Sequence, residues 1–202
     1  MPKIPEIKEF LTFAEELANA SRAILVEAAH GSQIGEMKSD GSPVTHIDQA
    51  VEERLRHMIA GRYADHGVFG EEYSDANTVE DYTWVLDPID GTLSFLGGLP
   101  VYGTLIALLR GGVPMIGVID MPALGERWVG RQDQLTTFNG NPVHARACDD
   151  LAQAWLYATS PQMFEDADFP AFERLRQASW RAVYGAECMA YGLLSNGLVD
   201  MV

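Results

Sequence analysis

The residues best suited to chemistry are acidic side chains placed where apolar runs end. Glu71 and Glu72 follow Val68-Phe69-Gly70, and Asp87 and Asp90 follow Trp84-Val85-Leu86 in the string Asp87-Pro88-Ile89-Asp90-Gly91-Thr92. Pro88 fixes its own backbone and disfavours helix at Asp87, so the two aspartates are predicted to leave a strand through a stiff turn that aims both carboxylates at one point. Gly91 lets the backbone approach closely, and Thr92 can open a helix whose free N–H groups face a phosphate. Mg2+ suits such a set, because it takes a few carboxylate and carbonyl oxygens and keeps several waters. Phosphoryl transfer to water then needs a group to orient and deprotonate the water and cations to neutralise the phosphoryl and leaving oxygens, with no covalent nucleophile. Each acid also has an ordinary structural role. Glu71-Glu72 fits a solvated loop end, Asp87 and Asp90 fit turn positions, and Asp48 and Glu187 fit first-turn charges complementing helix dipoles.

The composition is that of a folded protein. At 202 residues and 47% apolar, the chain can bury a substantial core, as one large domain or two small ones. Fourteen basic against 29 acidic residues give a net charge of −15, which repels nucleic acid and anionic membrane surfaces. A phosphorylated substrate therefore requires local compensation, most simply by divalent cations. Cys148 and Cys188 are far apart and form no metal-type spacing, which predicts two reduced thiols and a cytoplasmic protein. No signal-peptide pattern opens the chain, and no apolar run nears the roughly 18 residues of a membrane span.

The elements that must position these acids can be read from periodicity. Ile7, Phe10, Leu11, Ala14, Leu17, Ala18, Ile24, Leu25 and Ala28 form the stripe of a first helix. A loop or short hairpin spans 31–43, and Thr45 caps a second helix with Ile47, Val51, Leu55, Met58 and Ile59 on its apolar face. Strands are predicted at Val68-Phe69, 82–86, 103–109 and 113–119, the last two joined by Gly111-Gly112, with a further strand over 127–130. Asn139-Gly140 is a turn signal. Beyond Asp149 the pattern predicts a strand over 155–158, a helix over 169–177, a strand over 181–184, a helix over 186–195 and the start of a strand over 198–202.

Taken together, Gly70-Glu71-Glu72 and Trp84-Val85-Leu86-Asp87-Pro88-Ile89-Asp90-Gly91-Thr92 resemble the inositol monophosphatase family of Mg2+-dependent phosphatases, and the resemblance runs from Pro43-Val44-Thr45-His46-Ile47-Asp48 to the end of the chain. The strings at 103–108, 117–120 and 125–130 look most like bacterial histidinol-phosphate phosphatases. Glu187 stands where that branch usually has an aspartate, and Leu93 where it commonly has a lysine. The resemblance implies a layered αβαβα sandwich, as in inositol monophosphatase and fructose-1,6-bisphosphatase, with residues 1–145 as an α+β metal-binding half and 146–202 as part of an α/β substrate-binding half. It implies that Glu71, Asp87 and the Ile89 carbonyl hold a first Mg2+, and that Asp87 and Asp90 share a second. Glu71 and Thr92 would activate water, with Asp48 as an outer carboxylate. Asp90, Gly91 and Thr92 would contact the substrate, the last two at its phosphate, and Gly185, Ala186 and Glu187 its organic part, Glu187 pairing with an ammonium group if that part is histidinol.

Family members continue past the equivalent of Val202 to an Asp-bearing motif that completes the second metal site. The expectation is a chain truncated at its C-terminus, with weakened binding of the second metal and poor turnover. A small phosphorylated substrate is the expected partner, and a homodimer is implied because family members are commonly dimers. Hydrolysis of histidinol phosphate is the leading reading. Hydrolysis of inositol or related sugar phosphates uses the same metals with a different substrate wall, and a non-catalytic protein that binds phosphorylated ligands or a partner is an alternative of another class.

Overall fold

The computed structural model describes residues 4–29, 35–37, 43–73, 81–165 and 168–202. Helix α1 (Ile4–Ala28) buries Phe10, Ala14, Leu17, Ala18, Ser21 and Leu25 along the predicted stripe. Strands β1 (Gly35–Met37) and β2 (Pro43–Thr45) then pair antiparallel. They are the arms of the expected hairpin, and residues 30–34 and 38–42 lie outside the described residues. Thr45 caps α2 (His46–Arg62) in a capping box. Its hydroxyl accepts from the Ile47 and Asp48 N–H groups while the Asp48 carboxylate accepts from the Thr45 N–H. Asp48 is therefore a first-turn acid, as considered from sequence, and also a buried cap partner.

A mixed sheet follows, in spatial order β3 (Gly67–Gly70), β4 (Tyr82–Asp90), β5 (Gly103–Arg110), β6 (Val113–Met121), β7 (Glu126–Arg131), β8 (Gln134–Phe138) and β9 (Asn141–Pro142). Only β3 and β4 run parallel; every other adjacent pair is antiparallel. The short helix α3 (Thr92–Leu96) lies between β4 and β5. On one sheet face Ile106, Leu108, Ile116 and Val118 are buried with residues of α1 and α2. An aromatic group at the end of that core joins Phe10, Phe13, Tyr63, His66, Tyr82 and Trp84. Trp84 Nε1–H donates to His66 Nδ1 at 3.1 Å, and burial keeps His66 below its ordinary pKa, which preserves that acceptor.

A smaller parallel pair, β10 (Trp155–Ala158) with β11 (Arg181–Tyr184), is bridged by α4 (Asp168–Ala178). Helix α5 (Met189–Ser195) packs on the second face of the large sheet, where Met121, Trp128 and Cys188 are buried together. The outcome is a layered α/β arrangement: a helix pair, a mixed sheet, a further helix and a second sheet.

Three local expectations are corrected. Strands β8 and β9 escaped prediction because Gln134-Leu135-Thr136-Thr137-Phe138 is mostly polar and lies at a half-exposed margin. Helix α5 begins at Met189 instead of Ala186, since Gly185 (φ 76°) and Glu187 (φ 46°) occupy the left-handed region that a helix cannot use. Over 198–202 only Met201 makes a bridge, to Leu156, because Leu198 N–H still closes the helix end onto the Leu193 carbonyl at 3.0 Å.

Candidate active site

The parallel pairing of β3 and β4 brings two acids together. Gly70 lies opposite Leu86, so the next residues along the two strands, Glu71 and Asp87, emerge side by side at the same end of the sheet. The two carboxyl groups are close enough that Glu71 raises the pKa of Asp87.

Asp90 joins them through an irregularity in β4. Residues three apart on a regular strand point to opposite faces. Against β5, however, Asp87 is opposite Leu105 and Asp90 is opposite Gly103, so β4 carries one extra residue. This bulge turns both aspartates toward one pocket. Pro88 suits the site because it has no N–H to lose from the ladder, and its carbonyl accepts from the buried Thr104 hydroxyl at 2.9 Å. Thr104 is itself 2.5 Å from the buried Ser21 hydroxyl on α1. The predicted turn is thus replaced by a bulge within a strand that continues to Asp90.

A cavity of about 240 Å³ is lined by Glu71, Asp87, Ile89, Asp90, Gly91, Thr92, Leu93, Thr159 and Glu187. Its electrostatics are severe. Burial, reinforced by Glu71, Asp90 and Asp48, pushes the Asp87 carboxyl up to about 8. Asp87 Oδ1 is buried without a hydrogen-bond partner. Burial also raises Asp90, opposed by the Cys188 N–H, which donates to Asp90 Oδ2 at 2.6 Å.

Behind the cavity wall, Asp48 is locked by the Thr45 N–H (2.8 Å) and hydroxyl (2.6 Å), both donating to Oδ2. Its Oδ1 is 3.2 Å from the Thr92 hydroxyl, which also lies 3.0 Å from the Ile89 carbonyl. On the opposite wall Glu187 accepts from the Ser94 hydroxyl at 3.1 Å, and burial raises its pKa. Gly91 has φ 82°, and a Cβ there would lie 2.8 Å from Glu187 Cγ, so this position demands glycine on two counts.

Seven of the residues singled out from sequence therefore line one cavity: Glu71, Asp87, Ile89, Asp90, Gly91, Thr92 and Glu187. Asp48 stands behind Thr92. Gly185 and Ala186 do not line it: Gly185 N–H turns to the Ala158 and Thr159 carbonyls, and Ala186 is buried. Sequence reasoning missed Thr159 and Ser94. Thr159 was findable as the polar residue just past β10, since ligands of parallel sheets collect at the carboxyl ends of strands.

The donor set fits a hard cation, because an orphaned buried carboxylate oxygen beside two further carboxylates lacks the positive charge that would satisfy all three. Among the described residues no three His, Cys, Asp or Glu side chains stand preassembled at ligand geometry. Larger cavities exist elsewhere, including one of about 690 Å³ beside Arg146, Trp155 and Trp180. Chemistry, and not size, selects the acidic one.

The sequence profile of the inositol monophosphatase family matches residues 6–202. The chain belongs to this family. Within it, the chain is 42% identical over 199 residues to the chloroplastic bifunctional phosphatase IMPL2 of Arabidopsis thaliana, covering 98% of this chain and 58% of that protein. It is 32% identical to the histidinol-phosphatase of Streptomyces coelicolor, covering 98% of this chain and 78% of that one. The inositol monophosphatase of Zymomonas mobilis superposes with a TM-score of 0.84 at 38% identity, over 95% of this chain and 74% of that structure. The chain thus spans less than two thirds of the Arabidopsis relative.

Proposed function

We propose that this chain forms the metal- and substrate-binding part of a Mg2+-dependent phosphomonoesterase whose substrate is histidinol phosphate. The observation that carries the reading is the convergence of Glu71, Asp87 and Asp90 on one cavity with a buried Asp87 oxygen left unpartnered. Glu71, Asp87 and the Ile89 carbonyl would hold one Mg2+, and Asp87 with Asp90 a second. Bound there, Mg2+ supplies the charge that the phosphoryl and leaving oxygens need as the bond breaks and makes water easier to deprotonate.

The remaining work falls to the chain. Asp48, fixed through Thr45, holds the Thr92 hydroxyl so that its free lone pair faces the cavity and accepts a hydrogen bond from the attacking water. Glu71, at the exposed mouth, takes the water proton. The Gly91 and Thr92 amides would hold phosphate oxygens. Glu187 fits the histidinol reading by charge alone, because its carboxylate can pair with an ammonium group; the same carboxylate can accept hydrogen bonds from the hydroxyls of a sugar phosphate, as it does from Ser94.

Hydrolysis of inositol phosphates is the second reading, favoured by the 38% identity to the Zymomonas mobilis enzyme and by the bifunctional Arabidopsis relative. The deciding experiment compares kcat/KM for Mg2+-dependent phosphate release from histidinol phosphate and inositol 1-phosphate, for the chain and its Glu187→Gln variant. The proposal expects a preference for histidinol phosphate and a KM for it that rises about tenfold in the variant, with the inositol phosphate KM unmoved. An unchanged histidinol phosphate KM removes Glu187 from recognition. Ligand binding with no phosphate release supports the non-catalytic reading.

A cytoplasmic location belongs to the same proposal and rests on two unpaired cysteines, one exposed and one buried. A second copy of the chain is the proposed macromolecular partner, on the family resemblance. No helix among the described residues is long and apolar enough to cross a membrane.

A further inference from the structure

Glu71 sits on an exposed bend that leaves β3, and an exposed bend does not by itself hold a carboxylate at one place. The structure contains a device beneath it. Glu52 on α2 is a fully buried glutamate, 0% exposed, and lies outside the cavity. Its Oε2 accepts from the Glu72 N–H at 2.7 Å, and its Oε1 accepts from the Tyr73 N–H at 3.3 Å. Arg56, one turn on, donates Nε–H to Glu52 Oε1 at 2.7 Å and an Nη2 hydrogen to the Tyr73 carbonyl at 3.1 Å. The Glu52–Arg56 pair therefore grips the backbone after Glu71 by the N–H groups of Glu72 and Tyr73 and by the Tyr73 carbonyl.

Gly70 completes the fit. A Cβ at that position would lie 2.1 Å from Glu52 Oε1 and 2.8 Å from Arg56 Nη2, so the missing side chain is the space in which the pair sits. Burying a carboxylate is a costly way to stabilise a fold, since Glu52 gives up its hydration and Arg56 part of its own. What this one secures is geometry: the backbone at 70–73 is wrapped around a fixed anion, and the Glu71 side chain is projected toward Asp87.

We infer that Glu52, with Arg56, is a positioning residue for the cation site, setting metal affinity by fixing Glu71 while touching neither metal nor substrate. The inference rests on the metal-site reading given above. Outer partners of metal ligands typically change affinity 10- to 100-fold when removed. In Glu52→Gln one carboxylate oxygen becomes an NH2 group facing N–H donors, so at least one of the three bonds is lost while shape is kept.

The test titrates the chain and Glu52→Gln with Mg2+ alone, by calorimetry, and follows hydrogen exchange at the Glu72 and Tyr73 amides without metal. The expected result is a Kd for Mg2+ raised at least tenfold with the same saturating stoichiometry. The two amides should exchange faster while those of β5 and β6 keep their protection. A Kd within twofold of the parent overturns the inference, and so does exchange that quickens throughout the sheet, which would mark Glu52 as a purely structural buried group. If Glu52→Gln does not fold, Arg56→Lys serves, because it keeps the charge and loses the Tyr73 carbonyl contact. A Kd raised about threefold then supports the positioning role, and an unchanged Kd overturns it. Absence of saturable Mg2+ binding by the parent chain sinks the metal site and this inference together, whereas saturable binding indifferent to position 52 sinks this inference alone.

Discussion

Replacing Asp87 by Asn should stabilise the metal-free protein while abolishing its response to Mg2+. The Asp87 carboxyl is pushed from 3.8 to about 8 by burial and by Glu71, Asp90 and Asp48. At pH 7 the folded protein must then bind a proton that the unfolded chain does not. At ~1.36 kcal/mol per pH unit, the interval from 3.8 to 7 gives a ceiling of roughly 4 kcal/mol against folding. The cavity opens to solvent, which screens part of that cost, and we expect about 1–3 kcal/mol to be recovered. Asn keeps the shape and, like the protonated acid, carries no charge and has a donor. For a chain of this size the gain corresponds to a rise in Tm of roughly 2–10 °C. The effect should be full near pH 8 and vanish below about pH 4, where both states of the parent hold the proton. Mg2+ at a hundredfold excess over its Kd should add ~2.7 kcal/mol to the parent and nothing comparable to the variant. Thermal unfolding of both proteins, with and without Mg2+, at pH 4 and pH 8, reads all of this. A variant less stable than its parent at pH 8, or one equally stabilised by Mg2+, would refute the reasoning.

Further outcomes follow from single contacts. Thr92→Ala removes the hydroxyl between Asp48 and Ile89 and should slow phosphate release roughly 100-fold, with Thr92→Ser retaining most of the rate; equal rates in both variants would contradict the assigned role. Gly91→Ala must place a Cβ 2.8 Å from Glu187 Cγ at φ 82° and should cost about 1–2 kcal/mol, seen as a lower urea midpoint. Two Arg146 hydrogen bonds hold Asp200 down at about 2, so its contribution is present above the unfolded carboxylate pKa and disappears as pH falls from about 4 to about 2. Asp200→Asn should flatten that acid limb in urea midpoints measured between pH 2 and pH 5.

Much of the site was legible because its signals are local. The acids at 71, 87 and 90, the small residue at 91 and the Thr45 cap can each be read from neighbouring residue types, and all occupy consistent places in the fold. The bulge was not legible. A turn and a bulge both use Pro and Asp, and only pairing against β5, with Leu105 and Gly103 as the partners, distinguishes them. Glu52 escaped notice for a similar reason: an acid and an Arg four apart on a helix look like a solvated pair, and its burial is set by the distant backbone at Gly70, Glu72 and Tyr73. Strand β8 was lost because its polar sequence reflects a margin that the rest of the sheet protects on one side.

The lone parallel pair in the large sheet also bears on how this protein can change. Glu71 and Asp87 are neighbours because Gly70 is aligned with Leu86, whatever path the chain takes between them. Changes of length that leave residues 70–73 and β4 intact should therefore leave both acids in place. Sliding β3 by a single residue, by contrast, would turn Glu71 to the other side of the sheet. The alignment is anchored by Val68 and Trp84, both buried against the helix pair, and substitutions at these apolar positions therefore threaten the meeting of the two acids from inside the core.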